Sequence, residues 1–313
     1  MKILIVGAGI AGLSAAKILA KHHEVTVIDK GRGVGGRMAT RKIGDCQADH
    51  GAQYFSVQSK DFQYFIDELL AESIVSKWQL AQRTNIRYFG SKGMKMIPKK
   101  MAENINVILN EKVSKIVDNK LLSESGREYI FDQLILTQPV PQIQELLKQS
   151  SILISAKDES ALNLVKYEPC IAVMAVLNKM TEIQNGGIML ENQPVAWIAD
   201  NFQKGISTKP CATLHASANF STENLEGDLN VIAQKMLESV EEFIPKSSVE
   251  TFQIHRWRYS LASSRYPATF YQFDDKAIFM AGDGFGIGNV EGAFLSGLNV
   301  AEFILETSLK TAE

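Results

Sequence analysis

Apolar positions along the chain fall into three textures. The first is the short unbroken run. Ile3–Val6 and Ala277–Ala281 are apolar throughout, the pattern of strands buried on both faces, and Val25–Ile28 and Gln133–Thr137 read as further apolar strands. The second texture is helical spacing. Leu13–Ala20 follows the first run. Phe62, Phe65, Ile66, Leu69 and Leu70 share a face within Lys60–Trp78. A short helix begins near Pro98, a residue suited to a first helical position. Leu225, Leu229, Ile232, Met236, Leu237, Val240 and Phe243 predict one long helix over Glu223–Ile244, and Val290–Leu305 predicts another, rich in small residues, capped by Asn289. The third texture is the short strand between turn residues. Val107–Leu109, Val113–Val117, Leu121–Ser123 and Tyr129–Phe131 belong to it, and the prolines of Gln138–Pro141 mark a crossing to another domain. Beyond them, Cys170–Leu177, Gly187–Leu190, Val195–Asp200, Ala212–Ala218 and Val249–Tyr259 predict a mostly antiparallel sheet.

The first strand, glycine turn and helix carry candidate chemistry. Gly7, Gly9 and Gly12 stand in G-x-G-x-x-G spacing between strand and helix, and Asp29, 17 residues after Gly12, ends the next strand. One glycine permits the tight turn, one a close backbone approach to a pyrophosphate, and one close helix–strand packing. The pyrophosphate would sit where unpaired N–H groups and the helix dipole favour negative charge, with Asp29 on a ribose hydroxyl. In this context the spacing predicts a dinucleotide fold; an ordinary glycine-rich turn is the plainer alternative. The same stretch superficially resembles a secretory signal, but three turn glycines, no cleavage-like site and a continuing strand argue against one.

Bulk properties remove several classes. At 313 residues there is room for about two domains. The composition, 45% apolar and 22% charged, is that of a globular protein. A net charge of −2 without a dense basic block speaks against nucleic acid or anionic membrane as a partner. No apolar run is long enough for a transmembrane helix. Cys46, Cys170 and Cys211 are far apart, match no metal spacing, and read as small buried hydrophobes in a reducing, cytoplasmic setting. No metal site is expected.

Further candidates line up around the glycine turn. Lys30–Met38, KGRGVGGRM, directly follows the second strand. Gly36 and its neighbouring glycines let the backbone run close to a ligand, and Arg37 offers a planar charged fork for phosphate oxygens, unless the loop is simply solvated surface. An enzyme using NAD has no need of a second phosphate loop here; a flavoprotein, whose FAD lies extended across the sheet, commonly has one. Asp49–Phe55, DHGAQYF, is either strand and core or, through Gln53, Tyr54 and Phe55, the wall of an aromatic pocket. Near the other end, Gly282 and Asp283 follow an apolar strand, where open α/β sheets bind ligands, and Asp283 is either a hydroxyl acceptor or a turn residue. The helix start at Glu291, Gly292 and Ala293 would stabilise negative charge beyond it.

Together GAGIAG, Asp29, GVGGRM, DHGAQYF, TQPVP and AGDGFGIGNVEGAFLSG resemble the FAD-dependent amine-oxidase-like superfamily, and more narrowly the renalase family; DHGAQYF, WRYS around Trp257 and the GDGF…EGAFLSG ending are the specific parts. The match spans the chain and is weak from Lys148 to Val165. The resemblance implies an α/β fold: a Rossmann-like FAD-binding domain of residues 1–57, 93–140 and 274–313, and an inserted α+β substrate domain of residues 58–92 and 141–273. It implies oxidation of 2- or 6-dihydro isomers of NAD(P)H to NAD(P)+, with O2 reduced to hydrogen peroxide. It implies non-covalent FAD, met by Gly7, Gly9, Ile10, Ala11, Gly12, Lys30, Gly36, Arg37, Met38, Gly282, Asp283, Glu291, Gly292 and Ala293. Asp29 would meet the adenosine ribose, Val113 the adenine region, and Gln53 and Tyr54 the isoalloxazine. Asn201, His215 and Trp257 match positions on the substrate side, although His215 and Trp257 also read as core; with Tyr54 they are the candidate catalytic residues. Asp29 stands where many flavoproteins have Glu, and no lysine is recognisable as the flavin-adjacent lysine of amine oxidases. An amine or other small-molecule oxidase or desaturase of the same fold, and a flavin-bearing sensor without turnover, are the alternatives.

Overall fold

The computed structural model describes residues 1–274 and 276–310, the side chain of Lys310 apart; residues 311–313, the end of the expected 274–313 segment, lie outside the described residues. In chain order, β1 (Lys2–Val6), α1 (Ile10–Leu19) and β2 (Glu24–Ile28) come first. A hairpin of β3 (Thr40–Ile43) and β4 (Cys46–Asp49) follows, then α2 (Lys60–Ala71), a second hairpin of β5 (Val75–Trp78) and β6 (Arg87–Gly90), and α3 (Met96–Met101). Next are β7 (Asn106–Ile108), the meander β8 (Val113–Val117), β9 (Lys120–Ser123) and β10 (Glu128–Ile130), then β11 (Gln133–Leu136), α4 (Val140–Gln149) and α5 (Ala156–Leu164). The antiparallel part holds β12 (Lys166–Leu177), β13 (Gly187–Met189), β14 (Val195–Asp200), β15 (Cys211–Ala216), α6 (Ala218–Glu223), α7 (Leu229–Glu238) and β16 (Val249–Ser264). The described chain closes with β17 (Phe270–Gln272), β18 (Ile278–Ala281) and α8 (Asn289–Lys310).

One six-stranded sheet runs β17-β18-β11-β1-β2-β7, parallel except at β17. Ile5 pairs with Ile135, which pairs with Phe279, so strands from the start, middle and end of the described chain lie side by side. Two glycines let helices come this close. A Cβ on Gly12 would stand 2.0 Å from the Gly7 carbonyl oxygen, and one on Gly297 2.0 Å from that of Ala11. The first contact seats α1 on its own turn; the second lets α8 cross α1 backbone to backbone. The separate five-stranded sheet runs β13-β14-β15-β12-β16 and is antiparallel throughout.

Several expected elements differ in extent. Helix α2 stops at Ala71, and Ser73, with φ +57°, turns the chain into β5. The expected helix over Glu223–Ile244 is cut to α7: α6 already ends at Glu223, the Asp228 carboxylate caps a fresh start by accepting from the N–H groups of Asn230 and Val231, and α7 stops at Glu238. The prolines of TQPVP open a helix, with Pro139 as the cap of α4. Helices α4 and α5 bury Ile143, Leu146, Leu147, Ala161 and Leu162 with Leu4, Val6 and Leu134 of the parallel sheet, and β17 joins that sheet. The expected boundaries at 140/141 and 273/274 therefore fall within chain that packs on the parallel sheet. Residues 58–92 pack on both sides, since Phe62, Phe65 and Trp78 share a core with Ile10 and Phe294 as well as Trp197 and Ile206.

Candidate functional site

At the carboxyl ends of β1 and β2 the glycine turn leaves a bare surface. Gly9 caps α1, and a Cβ there would meet nothing within 4 Å; Gly36 faces it, its own Cβ position 3.7 Å from the Gly9 Cα. Ile10, Ala11 and Gly12 form the first helical turn, whose N–H groups have no acceptor within the helix. Gly7, at φ +111°, adopts a backbone that a side chain would strain. Asp29 accepts from the Ala8 N–H and the Gly31 N–H, both at 2.6 Å, which ties the turn after β1 to the loop after β2 and leaves each oxygen a further lone pair. Met38 is buried and donates its N–H to Gly35, Val113 packs against the core around Ile28, and exposed Lys30 reaches Gln142.

Arg37 and Asp283, expected to face phosphate and hydroxyl groups, face each other. Arg37 donates Nη1 and Nη2 to the two Asp283 oxygens at 2.6 and 2.5 Å, and Nη1 also reaches the Tyr259 and Ser260 carbonyls. Burial opposes the Arg37 charge, but Asp283 more than offsets it and holds the guanidinium above its ordinary value. Tyr167 adds a hydroxyl donor to Asp283 at 3.3 Å. Gly282 donates to Ser296 Oγ on α8. The buried Glu291 carboxylate accepts from the N–H groups of Gln58 and Ser59, so that side chain fastens the start of α2, while Gly292 N–H goes to Asn289.

DHGAQYF, for which the residues left strand and pocket open, leaves strand geometry after Asp49 and crosses the GGR loop. A Cβ on Gly51 would stand 1.9 Å from the Arg37 carbonyl oxygen, and the Ala52 N–H donates to that oxygen. Gln53 is buried and donates Nε2 to the carbonyls of Asp49 and Gly51. Tyr54 stands edge-on to Trp78 and Trp197, with Arg87 5.7 Å from its ring. Trp257 donates to the His50 carbonyl at 2.7 Å and stacks on the His50 ring. His215 Nε2 lies 3.2 Å from the same carbonyl and 3.4 Å from Gln53 Nε2. Asn201, expected on the substrate side, is fully buried; its Nδ2 donates to Thr213 and its Oδ1 accepts from the Asp49 N–H, so its carboxamide braces the interior.

Two groups of residues escaped sequence reasoning. His50 lies within DHGAQYF and His255 two residues before Trp257, but only the fold packs their rings 5.0 Å apart beside Trp257. Lys204 sits in the loop after β14, where nothing in DNFQKG signals burial. Yet Lys204 and Asp49 form an ion pair at 2.8 Å with both side chains fully buried. Burial pushes His50 down to about 3, helped by Arg41, and His215 and His255 each down to about 4. All three are neutral at pH 7. Since the unfolded chain protonates near 6.5 and the folded sites near 3 to 4, stability is complete above about pH 6.5 and falls as pH falls toward 4. For buried His50 the slope reaches about 1.4 kcal/mol per pH unit. A thermal melt series from pH 7.5 to 4.5 is expected to show Tm falling with acid, and His50→Gln to flatten that fall.

Several buried side-chain polar atoms have no partner within the protein. Gln53 Oε1, Trp197 Nε1 and His50 Nδ1 are three of them: an acceptor, a donor and a ring nitrogen, all within this region. Orphaned buried groups are costly unless something meets them. With the bare Gly9 surface they suit a long molecule carrying a phosphate at one end and a polar ring at the other. Among the described residues no cluster suits a metal ion, and no helix is long and apolar enough to cross a membrane. Cys46, Cys170 and Cys211 are buried, as their sequence context implied.

Comparison with known proteins decides the family. A model of the flavin containing amine oxidoreductases matches residues 62–305, and one of NAD(P)-binding Rossmann-like domains matches residues 5–69. The chain belongs to the flavin-containing amine oxidoreductase family. It is renalase-like: it is 27% identical to a renalase of Mus musculus over 97% of this chain and 98% of that protein. The fold is shared with a putative protoporphyrinogen oxidase from Exiguobacterium, at TM-score 0.76, 12% identity and coverage of 97% and 98% of the two chains. A putrescine oxidase variant gives TM-score 0.75 at 16% identity, covering 98% and 99%. This family member is thus a flavin-dependent oxidoreductase with a Rossmann-like nucleotide-binding unit.

Proposed function

We propose that the protein is an oxidase with non-covalent FAD that takes hydride from 2- or 6-dihydro isomers of NAD(P)H and passes the electrons to O2, giving NAD(P)+ and hydrogen peroxide. On this reading residues 1–57, 93–140 and 274–313 chiefly hold FAD and residues 58–92 and 141–273 chiefly form the substrate side. The observation that carries it is that the site leaves no carboxylate unmatched and no histidine charged. Its histidines are uncharged at pH 7, Asp49 is matched by Lys204 and Asp283 by Arg37, and Glu291 is capped by N–H groups. Such a site supplies orientation and little acid–base help, which is what forming an aromatic pyridinium from a dihydronicotinamide requires.

The residues have distinct tasks. The α1 turn from Gly7 to Gly12, with Gly36 and Arg37, would receive the phosphates; Asp29 and Lys30 the adenosine ribose end; Val113 the adenine region; Met38 and Gly282 the floor; Asp283 the ribityl hydroxyls. Gln53 and Tyr54 would lie beside the isoalloxazine, where Tyr54 also walls the dihydronicotinamide and excludes water, while His215 orients its carboxamide. Trp257 and Asn201 would hold His50 and Asp49, and through them the ring site. The α8 start at Glu291, Gly292 and Ala293 would present its positive dipole end to the ring. When bound, FAD would supply the hydride acceptor and the path of two electrons to O2. The sum balances: the substrate loses H−, and O2 gains two electrons, that hydrogen as a proton and one proton from solvent.

Tyr54, Trp78 and Trp197 make an aromatic wall that would also attract an ammonium, so amine oxidation is the second reading. Anaerobic stopped-flow mixing separates the two. A dihydronicotinamide isomer is expected to bleach the flavin band within seconds while amines leave it intact, with peroxide appearing once air is admitted. Bleaching by amines alone would reverse the assignment.

A further inference from the structure

Lys204 does more than balance the charge of Asp49, and it is one of the most constrained charges among the described residues. Its side chain is fully buried, 5.0 Å from the Trp78 ring centre and 5.1 Å from that of Phe89. A Leu or Met would fill such an aromatic box, and exchanging a buried ion pair for apolar residues is often neutral or stabilising. Stability therefore gives no sufficient reason for an ammonium there. Its hydrogen bonds give one. Nζ donates to Asp49 Oδ2 at 2.8 Å and to the Gln53 carbonyl at 2.6 Å. Asp49 is itself anchored, since Oδ1 accepts from Thr40 Oγ1 and the Met94 N–H, and its carbonyl accepts from Gln53 Nε2 and Thr213 Oγ1. Gln53 is thereby clamped at its main-chain oxygen by Lys204 and at its side-chain nitrogen by Asp49. The atom left over, Oε1, is buried and without a partner.

We propose that Lys204 is a positioning residue: through the Asp49 ion pair and the Gln53 carbonyl it fixes the Gln53 amide so that Oε1 is the acceptor offered to an N–H donor at the ring end of the bound cofactor and substrate. The inference rests on the proposed placing of the flavin ring beside Gln53 and Tyr54. Lys204 touches neither ligand; a loop of the antiparallel sheet sets, through it, the geometry of a segment that crosses the parallel-sheet unit.

The test compares K204M/D49N, which removes both charges together, with Q53M, which leaves the ion pair intact and removes only the amide. Thermal melting of the apoprotein reads folding, visible circular dichroism of bound FAD reads the ring's surroundings, and stopped-flow reads the reduction rate and half-saturating substrate concentration. Both variants are expected to melt near the native protein and to share an altered flavin dichroism. Both should lose about 10–100-fold in reduction rate with half-saturation little changed, the loss that follows a misplacement near 1 Å. A Q53M protein with native dichroism and native rate overturns the proposal even if the double variant fails to fold. So does a folded double variant with native dichroism and rate. If no dihydronicotinamide reduces the native holoprotein, the proposed reaction fails, while the dichroism comparison still decides the role of Lys204.

Discussion

Asp283→Ala is expected to cost the protein both stability and its cofactor, and more of the first than Arg37→Ala does. Removing Asp283 leaves a guanidinium whose side chain is only 29% exposed facing two carbonyls and a phenol, with no carboxylate to match it. A fully buried charge stripped of its partner costs about 3–5 kcal/mol, and the residual exposure of Arg37 brings the expected figure to about 2–4 kcal/mol. In urea titration this reads as a lower midpoint at unchanged slope. Arg37→Ala leaves Asp283 still accepting from the Tyr167 hydroxyl, so its cost is smaller. The double variant Arg37→Met/Asp283→Leu is expected to regain most of the stability. FAD retention separates the structural from the binding role. On the proposed reading all three variants emerge from desalting with most of their flavin lost, including the double variant that folds well. A double variant that keeps stoichiometric flavin would show the pair to be a clasp between β18 and the GGR loop and nothing more.

The parts of this architecture legible in the sequence are those whose cause is local. The turn from Gly7 to Gly12 announces itself because the backbone positions that need glycine are spaced by the geometry of one strand and one helix. The same holds for the strand, glycine loop and helix from Ile278 to α8, although the pairing of that strand with β11 is a matter of topology. Where helical spacing continues past a local stop, the spacing overstates the helix. Leu225 and Leu229 keep the helical period across Gly227 and Asp228, but the Asp228 cap decides the break. The hairpin from Thr40 to Asp49 has mixed polar and apolar residues and gave no strand signal; it is specified by its partners, with the Asp49 carboxylate held by Thr40, Met94 and Lys204. Lys204 and Asn201 were opaque for the opposite reason. Polar residues in a polar stretch read as surface, and only long-range hydrogen bonding takes them inside. Asn201 matched a motif, but the motif does not say which way its carboxamide points; its partners Thr213 and Asp49 do.

The sharpest division between folding and binding is expected at two glycines three residues apart. Gly12→Ala places a Cβ 2.0 Å from the Gly7 carbonyl oxygen and 3.1 Å from Thr137 Oγ1, a hydroxyl that follows β11 and is held on the Val6 and Gly7 carbonyls. Relief requires α1 to lift from β1, and α1 is also held by α8 through the close approach of Gly297 to Ala11. Overpacking of this kind costs about 1–3 kcal/mol, and the displaced helix start carries the N–H groups proposed to meet the pyrophosphate. Gly12→Ala should therefore lower Tm and weaken FAD binding together. Gly9→Ala differs because its Cβ would meet nothing within 4 Å and its backbone, at φ −76° and ψ 178°, is one any residue adopts. Its Tm without FAD is expected to equal that of the native protein. Its FAD affinity, read by quenching of flavin fluorescence on titration into apoprotein, is expected to drop by about 10-fold or more, since a methyl group occupies the face on which the pyrophosphate would lie. Unchanged affinity in a normally folded Gly9→Ala protein would mean that the diphosphate takes another path, and with it the assignment of Gly36 and Arg37 to that group would fall.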